Sequence, residues 1–319
     1  GRYCVTRCLK ENGYTQITIP KEQEMPDGNF TACPYPNPEI REALEVGLKK
    51  AKEVGSDLLL ATDPDCDRVG VAVKEGDDYQ LISGNQMGIL LFDYICKTYK
   101  ANGTMPKNPV VVTTIVSTKM IDKIAADYGV EVRRVLTGFK FIGEQIGFLE
   151  ADGEVDRYIF GFEESYGYLS GGHVRDKDGV NASLLICEMF AHYKAMGISL
   201  VQMLNQLYEK YGYFKEALQS ITFEGASGAK KMADLMESLR TNAPKEVAGY
   251  KVIDVKDYKE GIGNLPKSNV LEFNMEDDIN VLVRPSGTEP KIKMYYLVKG
   301  SSEQAGAEIV AALESYFTE

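Results

Sequence analysis

Hydrophobic and polar positions in the first part of the chain alternate between helical and strand-like patterns. Apolar residues spaced three or four apart indicate helices, and short apolar runs indicate strands. The stretch 21–38, rich in Pro, Gly and Asn, predicts a loop. The predicted helices cover residues 3–11 and 38–54, and the predicted strands cover residues 15–19, 57–62 and 69–73, the last two as a hairpin.

From about residue 81 the order of elements becomes βαβαβ. The continuous β-branched run at 110–116 is typical of a strand buried on both faces. Strands that alternate with helices in this way indicate a parallel α/β sheet. The predicted helices cover residues 87–99, 118–128, 141–149 and 181–211, and the predicted strands cover residues 110–116, 130–136 and 158–162.

The pattern changes in the last third of the chain, where strands follow one another with few helices between them. Such an order predicts an α+β domain with an antiparallel sheet. The predicted strands are 218–223, 250–255, 269–273, 279–283 and 292–298, and the helices are 230–240 and 303–317. We therefore expect three domains, over residues 1–80, 81–212 and 213–319.

The chain opens on GRYCVTRCLKENG, at a loop-to-helix junction with no strand in front of it. A parallel α/β domain normally begins with a strand. We therefore expect the first domain to be incomplete and the chain to be a piece of a longer protein.

Composition and charge narrow the class of protein. The chain has 44% hydrophobic and 26% charged residues, as globular proteins do, and no apolar run approaches the ~18 residues that cross a bilayer. A net charge of −11 argues against nucleic acid or an anionic membrane as a partner. The six cysteines form no CxxC pair, which disfavours a zinc cage or a disulfide framework. With no signal-peptide pattern, we expect a cytoplasmic protein.

An acidic loop follows the predicted strand at 57–62. In the sequence DPDCDR, Asp63, Asp65 and Asp67 occupy alternate positions, which converge on one side of an extended chain. Convergent carboxylates favour a hard cation, Mg²⁺ or Ca²⁺, over zinc. An EF-hand is excluded, because Arg68 stands where that loop needs Gly.

A second motif, RPSGTEP, connects two predicted strands near the carboxyl end. Its arginine, its hydroxyls and the turn amides beside glycine suit a phosphate dianion. It lacks the Walker pattern, so the residues alone leave two interpretations open, an anion site and a plain hairpin loop.

A third group of polar residues follows the strand at 158–162. Glu163 and Ser165, two positions apart, face the same way and suit the vicinal hydroxyls of a sugar. His173, Arg175 and Lys177 add positive charge in the glycine-rich loop that follows. The sequence TGFK, at 137–140, places further polar residues at the end of another predicted strand.

Together, DPDCDR, TGFK, EESYG with HVRDKDG, and RPSGTEP stand in the order found in the α-D-phosphohexomutases. This family comprises phosphoglucomutases, phosphomannomutases and phosphopentomutases. The chain resembles it over essentially its whole length, and most of all its phosphoglucomutase-2-like branch. The resemblance implies two α/β phosphohexomutase-type domains, the first incomplete, followed by a C-terminal α+β domain with an antiparallel sheet. These three domains would correspond to domains 2, 3 and 4 of the family's four domains, which surround a cleft.

The resemblance also implies roles for the motif residues. Asp63, Asp65 and Asp67 would hold Mg²⁺ together with a phosphoserine oxygen, and Arg68 would lie against that phosphate. Lys177 matches a position proposed as general acid/base. The sugar would be bound by Thr137, Gly138, Glu163, Ser165, His173 and Arg175, and its non-reacting phosphate by Arg284, Ser286, Gly287 and Thr288.

The implied reaction interconverts a sugar 1-phosphate and a sugar 6-phosphate through a phosphoserine and a bisphosphate, glucose 1,6-bisphosphate for glucose. The family's Thr-x-Ser-His-Asn-Pro motif is absent, since these 319 residues contain no Ser-His dipeptide. We therefore expect a chain that lacks the N-terminal catalytic-serine domain, is inactive alone and binds Mg²⁺ weakly. Small sugar phosphates are its expected partners, and we expect a monomer or a homodimer.

Other interpretations remain open. The preferred sugar could be mannose or a pentose. An aspartate-nucleophile phosphatase would use Asp63 as nucleophile and Asp65 as acid, but Asp67 stands where those enzymes have Thr or Val. A non-catalytic phosphosugar-binding module would keep the pocket without the reaction.

Overall fold

The computed structural model describes residues 1–225, 227–287 and 289–318, which belong to two units. The first unit comprises residues 1–115 and 121–207. The second comprises residues 116–120 and the chain from Tyr208 onward.

The amino-terminal part of the first unit contains a three-stranded antiparallel sheet of order β1-β2-β3. Its elements are α1 (Arg2–Glu11), a 3-10 turn (Lys21–Gln23), α2 (Arg41–Val54), β1 (Leu58–Thr62), β2 (Val69–Glu75) and β3 (Asp78–Ile82). Leu59 packs against α2, whereas Leu58 and Leu60 pack on the other face with α1. Successive side chains of a strand point to opposite faces, so β1 lies between two apolar layers.

The rest of the first unit is built on a four-stranded sheet of order β5-β4-β6-β7. Its strands are β4 (Val110–Thr114), β5 (Glu131–Val135), β6 (Tyr158–Glu163) and β7 (Gly167–Leu169). The strands β4, β5 and β6 are parallel, and β7 returns antiparallel to β6. Every residue of β4 is buried, as expected for a central strand covered on both faces.

Helices surround this second sheet. They are α3 (Gly84–Asn102), α4 (Met120–Tyr128), α5 (Phe139–Ala151), a 3-10 turn (Val155–Arg157), α6 (Gly179–Ala195) and α7 (Leu200–Tyr211). Among the described residues, no single helix is long and apolar enough to cross a membrane; α6 and α7 meet those criteria only as a pair bent by 87°.

The second unit contains a six-stranded antiparallel sheet of order β8-β13-β12-β11-β10-β9. Its elements are β8 (Tyr213–Thr222), α8 (Gly228–Thr241), β9 (Glu246–Val247), β10 (Tyr250–Asp257), β11 (Leu271–Met275), β12 (Ile279–Pro285), β13 (Lys291–Gly300) and α9 (Glu303–Thr318). Alternate residues of the central strands, such as Phe273, Val281 and Tyr296, are buried in one core that also contains Leu313 of α9.

Most predicted elements are confirmed, including the hairpin, the parallel βαβαβ order and the antiparallel carboxyl-terminal sheet. The predicted strand at 15–19 is wrong for the described structure. The segment has the composition of a strand, but no described strand pairs with its backbone, and a ladder needs a partner. The domain boundaries after residues 80 and 212 stay predictions.

Gly143→Ala is expected to lower the free energy of unfolding of the first unit by about 1–3 kcal/mol. A Cβ at this position of α5 would overlap the backbone carbonyl oxygen of Arg175, which cannot rotate away as a side chain can. Gly147→Ala, in the same helix, is the matched control. Nothing lies within 4 Å of its Cβ position, so the higher helix propensity of Ala should stabilise by up to about 1 kcal/mol. Urea denaturation measures both changes, and a stabilising Gly143→Ala would contradict the predicted clash.

Candidate functional site

Three carboxylates converge at the turn between β1 and β2. One oxygen from each of Asp63, Asp65 and Asp67 lies within 4.8 Å of the others. The convergence does not come from an extended chain, as the alternation predicted. Residues 63–66 form a turn, in which the Cys66 amide donates to the Asp63 carbonyl at 3.1 Å and Cys66 has a φ of 62°. The turn folds the three side chains together.

Asp63 and Asp67 are partly buried, and their surroundings shift their pKa values in opposite directions. Burial and the neighbouring Asp67 and Asp65 raise the pKa of Asp63 to about 6, although the Arg68 backbone amide donates to it at 3.0 Å. Burial, the largest single effect, opposes ionisation of Asp67, but hydrogen bonds with Lys177 and Asp63 and the charges of Lys177 and Arg68 together outweigh it and lower the pKa of Asp67. Two like charges this close favour keeping one proton between them.

Two cations face the acidic turn. Lys177 Nζ lies 2.8 Å from Asp67 Oδ2, and only 14% of this lysine side chain is exposed. Arg68 Nε lies 3.7 Å from Asp63 Oδ2 and 3.9 Å from Asp67 Oδ1. Three carboxylates therefore share two cationic side chains, which leaves excess negative charge at the turn.

The chemistry of this turn fits a divalent metal ion with oxygen ligands. Among the described residues, no group hydrogen-bonds to the buried Oδ1 of Asp67. A buried carboxylate oxygen without a hydrogen bond is costly, and a hard cation would satisfy it. Asp65 is exposed and can complete such a set from the solvent side.

Backbone contacts bring the acidic turn to the loop before α6. The Gly179 amide donates to the Cys66 carbonyl at 3.1 Å. Just after the acidic turn, the Val69 amide donates at 3.0 Å to the carbonyl of Tyr166, in the turn between β6 and β7. A side chain at position 179 would overlap the Cys66 carbonyl, so this close approach requires glycine. Lys177, two residues before Gly179, is thereby placed beside Asp67.

Glu163, predicted as a sugar-binding residue, lies at the end of β6 with only 5% of its surface exposed. Its Oε1 accepts a hydrogen bond from the Gly138 amide at 2.7 Å. Burial, and next the charge of Glu164, raise the pKa of Glu163 to about 7. Gly138 is the N-cap of α5, so the contact joins the predicted TGFK and EESYG motifs. Thr137 and Ser165 are half-buried in these same two motifs.

The two other basic residues predicted for the sugar pocket are engaged in local contacts. His173 Nε2 lies 3.0 Å from Asp178 Oδ2, and Asp178 also caps α6 by accepting from the Val180 and Asn181 amides. The guanidinium of Arg175 donates to the Gly172 carbonyl at 2.6 Å and to Glu150 at 2.7 Å. Both residues order the loop between β7 and α6, and their contact with a sugar stays a prediction.

The RPSGTEP motif lies in the second unit, between β12 and β13. Arg284, Ser286 and Gly287 line a cavity of about 420 Å³ together with Ser268 and Asn269. The Ser286 amide donates to the Lys291 carbonyl at 2.7 Å, which closes the turn. No ion pair joins Arg284 to a carboxylate within the described ranges. Thr288, the fourth predicted phosphate ligand, lies outside the described residues.

One residue of the site was missed by sequence reasoning. Glu39, just before α2, accepts a hydrogen bond from Arg68 Nη1 at 2.6 Å and orients the guanidinium beside the acidic turn. Its position at the start of the predicted helix 38–54 gave no signal of this contact, because the two residues meet only in the folded unit.

Family models and known proteins that resemble this chain are of the phosphoglucomutase/phosphomannomutase type. The model of "Phosphoglucomutase/phosphomannomutase, alpha/beta/alpha domain II" matches residues 1–76, and that of domain III matches residues 83–211. A phosphoglucomutase of Staphylococcus aureus (strain MRSA252) is 36% identical over 307 residues, which cover 92% of this chain and 54% of that protein. A phosphoglucomutase of Staphylococcus saprophyticus is 34% identical over 304 residues, with the same coverage. The chain thus spans about half the length of these relatives.

Two solved structures share the fold. A phosphoglucomutase/phosphomannomutase family protein from Burkholderia thailandensis aligns with a TM-score of 0.62 and 18% identity, over 92% of this chain and 53% of that one. The open form of parafusin, a phosphoglucomutase from Paramecium, aligns with a TM-score of 0.62 and 20% identity, over 90% of this chain and 50% of that one.

Glu163→Gln is expected to gain stability relative to the unsubstituted chain as pH rises. The folded-state pKa of Glu163 is raised to about 7, above the ~4.3 of an unfolded chain. Between these values the folded state holds the proton more tightly, so the unfolding free energy of the unsubstituted chain falls with rising pH. In the Gln variant the side-chain oxygen can still accept a hydrogen bond from the Gly138 amide. Because Gln does not titrate, this position no longer lowers the unfolding free energy as pH rises. The stability difference between the two proteins should grow by about 1–3 kcal/mol from pH 4.5 to pH 8.

Urea denaturation across this pH range measures the difference. Glu144→Gln, at an exposed position of α5, is the control and should show a much smaller change. A difference between Glu163→Gln and the unsubstituted chain that stays constant with pH would contradict the prediction.

Proposed function

Since the chain belongs to the phosphoglucomutase/phosphomannomutase family, we propose that the protein containing it interconverts a sugar 1-phosphate and a sugar 6-phosphate. The observation that carries this proposal is the acidic turn. Three carboxylates converge beside Lys177 and Arg68, and one buried oxygen among them has no hydrogen bond from the described residues. Such a site suits the handling of a phosphoryl group.

In this proposal Asp63, Asp65 and Asp67 hold Mg²⁺. When bound, the ion offsets the negative charge that develops during phosphoryl transfer. Arg68, oriented by Glu39 at 2.6 Å, contacts the phosphoryl group from the other side. An arginine already held in one orientation loses less conformational entropy when it binds.

Lys177 is the proposed general acid/base. Its ammonium lies 2.8 Å from Asp67 Oδ2 and 3.3 Å from Asp176 Oδ1, and its side chain is mostly shielded from solvent. The lysine is thus placed at the acidic turn, within reach of a sugar hydroxyl bound between that turn and the loop before α6. The Glu163 carboxylate would accept hydrogen bonds from the sugar hydroxyls, and the Ser165 hydroxyl would donate to them or accept from them. The same pocket would be lined by Thr137, Gly138, His173 and Arg175.

The second unit contains the proposed site for the non-reacting phosphate. Arg284, Ser286 and Gly287 line one cavity, and no described carboxylate pairs with this arginine. An arginine fork beside a turn amide and a hydroxyl matches the geometry of a phosphate dianion. Thr288 belongs to the same proposed set.

The proposed reaction needs a phosphoserine carrier, with glucose 1,6-bisphosphate as intermediate and activator if the sugar is glucose. These 319 residues contain no Ser-His dipeptide, and the covalent carrier cannot be replaced by positioning alone. We therefore propose that the carrier lies outside these residues and that this chain binds sugar phosphate without turning it over.

Incubation of the chain with glucose 1-phosphate, glucose 1,6-bisphosphate and Mg²⁺ should yield no glucose 6-phosphate in a coupled dehydrogenase assay. Calorimetry with glucose 6-phosphate should still detect binding, and Arg284→Ala should weaken it at least about tenfold, a loss of about 1.4 kcal/mol. Lys259→Ala, which removes an exposed cation of the same unit, is the control. Sustained turnover would refute the proposal that the phosphoserine carrier lies outside these residues. Sugar-phosphate binding that Arg284→Ala leaves unchanged would refute the proposed phosphate site.

Titration with Mg²⁺ tests the metal site separately from activity. The unsubstituted chain should bind Mg²⁺ weakly or below detection, because Lys177 occupies Asp67 Oδ2. Lys177→Met should strengthen binding roughly tenfold by removing a competing charge, and adding Asp65→Asn should reverse the gain. Lys194→Met, a lysine paired with Asp57 at 2.6 Å, is the matched control. Tight binding by the unsubstituted chain, or no effect of Lys177→Met, would contradict this competition.

A further inference from the structure

A further polar side chain lines the cavity of the RPSGTEP motif in the second unit. Asn269, two residues before β11, belongs to the same lining as Arg284 and Ser286, although it lies outside every motif identified in the sequence. A side-chain amide carries two N–H donors on its nitrogen and an acceptor on its oxygen. What Asn269 can offer to a ligand therefore depends on which end of its amide is already engaged.

The oxygen end of this amide is engaged by Arg240, near the carboxyl end of α8. Arg240 Nη2 donates to Asn269 Oδ1 at 2.8 Å. A guanidinium has donors only, so the amide atom that faces it must be the oxygen and not the nitrogen. Among the described residues, no hydrogen bond is made by Asn269 Nδ2. Both of its N–H donors are therefore available to a ligand.

Arg240 is itself held in place by carboxylates. Its Nε lies 2.6 Å from Asp257 Oδ2, its Nη1 lies 3.4 Å from Glu237 Oε2, and only 16% of its side chain is exposed. Two carboxylates offset the charge of this guanidinium, so it is not a free cation for an anionic ligand. Its influence on the cavity passes through the amide of Asn269.

The backbone on both sides of Asn269 is also fixed. The Ser268 amide donates to the Tyr258 carbonyl at 3.0 Å, and the Tyr258 amide donates to the Val270 carbonyl at 3.0 Å. Tyr258 is buried, and its hydroxyl donates to Glu272 at 2.6 Å. A donor that is held in place before the ligand arrives loses little conformational entropy on binding.

We propose that Asn269 is a further ligand of the phosphate group at this cavity, donating from Nδ2, and that Arg240 is its positioning residue. The inference rests on the proposed phosphate site of Arg284, Ser286 and Gly287. Arg284 supplies the positive charge, and Asn269 adds directional donors without adding charge. A phosphate dianion has acceptors only, so it matches an amide whose own acceptor is already occupied.

The same contacts also suit a purely structural role, in which Asn269 only ties the connection between β10 and β11 to α8. Asn269→Asp separates the two roles. Asp keeps an oxygen for Arg240 and adds an opposite charge, so a structural tie would persist. It also replaces the Nδ2 donors by a second anionic oxygen, which repels phosphate.

Calorimetry of the full 319-residue chain with glucose 6-phosphate measures the effect. Asn269→Asp should weaken binding at least about tenfold, and Asn269→Ala, which adds no repulsion, by about three- to tenfold. Asn264→Asp is the matched control, because it places the same charge at an exposed position of the same connection outside the cavity lining. It should leave binding unchanged. Urea denaturation should show that Asn269→Asp is as stable as the unsubstituted chain.

Nuclear magnetic resonance of the unsubstituted chain, labelled with ¹⁵N at asparagine, gives a readout that does not depend on the fold of a variant. Titration with inorganic phosphate should shift the side-chain NH₂ resonances of Asn269 in a saturable manner, and chloride at equal ionic strength should not. The side-chain resonances of Asn264 should stay in place. Spectra of the two single Ala variants assign these signals.

A double-mutant cycle tests the role of Arg240. Lys cannot donate to Asp257 and Asn269 together as the guanidinium does. Arg240→Lys should therefore weaken glucose 6-phosphate binding in the unsubstituted chain but have no further effect in the Asn269→Ala chain. Equal effects of Arg240→Lys in both backgrounds would overturn its role through Asn269.

The remaining outcomes separate this inference from the proposed function. If Arg284→Ala weakens binding but Asn269→Asp does not, or if phosphate leaves the Asn269 resonances in place, Asn269 is not a ligand and the phosphate site stands. If the unsubstituted chain does not bind, or neither substitution weakens binding, the phosphate site and the role of Asn269 are both overturned.

Discussion

The candidate site of the first unit depends on one backbone contact, the hydrogen bond from the Gly179 amide to the Cys66 carbonyl. Cys66 lies in the turn that gathers the three aspartates, and Gly179 is the first residue of α6. A side chain at position 179 would overlap this carbonyl, so the turn and the helix can approach this closely only because residue 179 is glycine. The contact fixes the acidic turn next to the loop that carries Lys177, and the remaining electrostatics follow from that placement.

The acidic turn is not electrically balanced by the residues around it. Asp63, Asp65 and Asp67 face the two cations Arg68 and Lys177. Burial, with the unmet repulsion as a smaller addition, raises the pKa of Asp63 to about 6. A proton on Asp63 and a metal ion among the three carboxylates relieve the same repulsion, so they compete. Lower pH should therefore disfavour any cation at this turn.

The sequence predicted the local features of the fold well and its long-range contacts poorly. The periodicity predicted the hairpin, the βαβαβ order and the antiparallel sheet, because these patterns reflect which face of each element is buried. It also identified the three aspartates, although for an extended geometry that the turn at Cys66 replaces. The contacts of Arg68 with Glu39 and of Lys177 with Asp67 join segments distant in sequence. Spacing carries no information on such pairs. The strand at 15–19 was mispredicted for a related reason, since a strand needs a partner that composition cannot supply.

The ion pair between Lys177 and Asp67 joins the acidic turn to the loop before α6. The Lys177 ammonium and a metal ion would bind the same carboxylate, Asp67, so the presence of one lowers the affinity of that carboxylate for the other. A ligand that draws the lysine toward itself would free Asp67 and raise the affinity for metal. By thermodynamic reciprocity, metal binding would release the lysine for that ligand to the same extent. A single salt bridge thus makes the occupancy of two neighbouring sites cooperative, without any movement of the surrounding sheet.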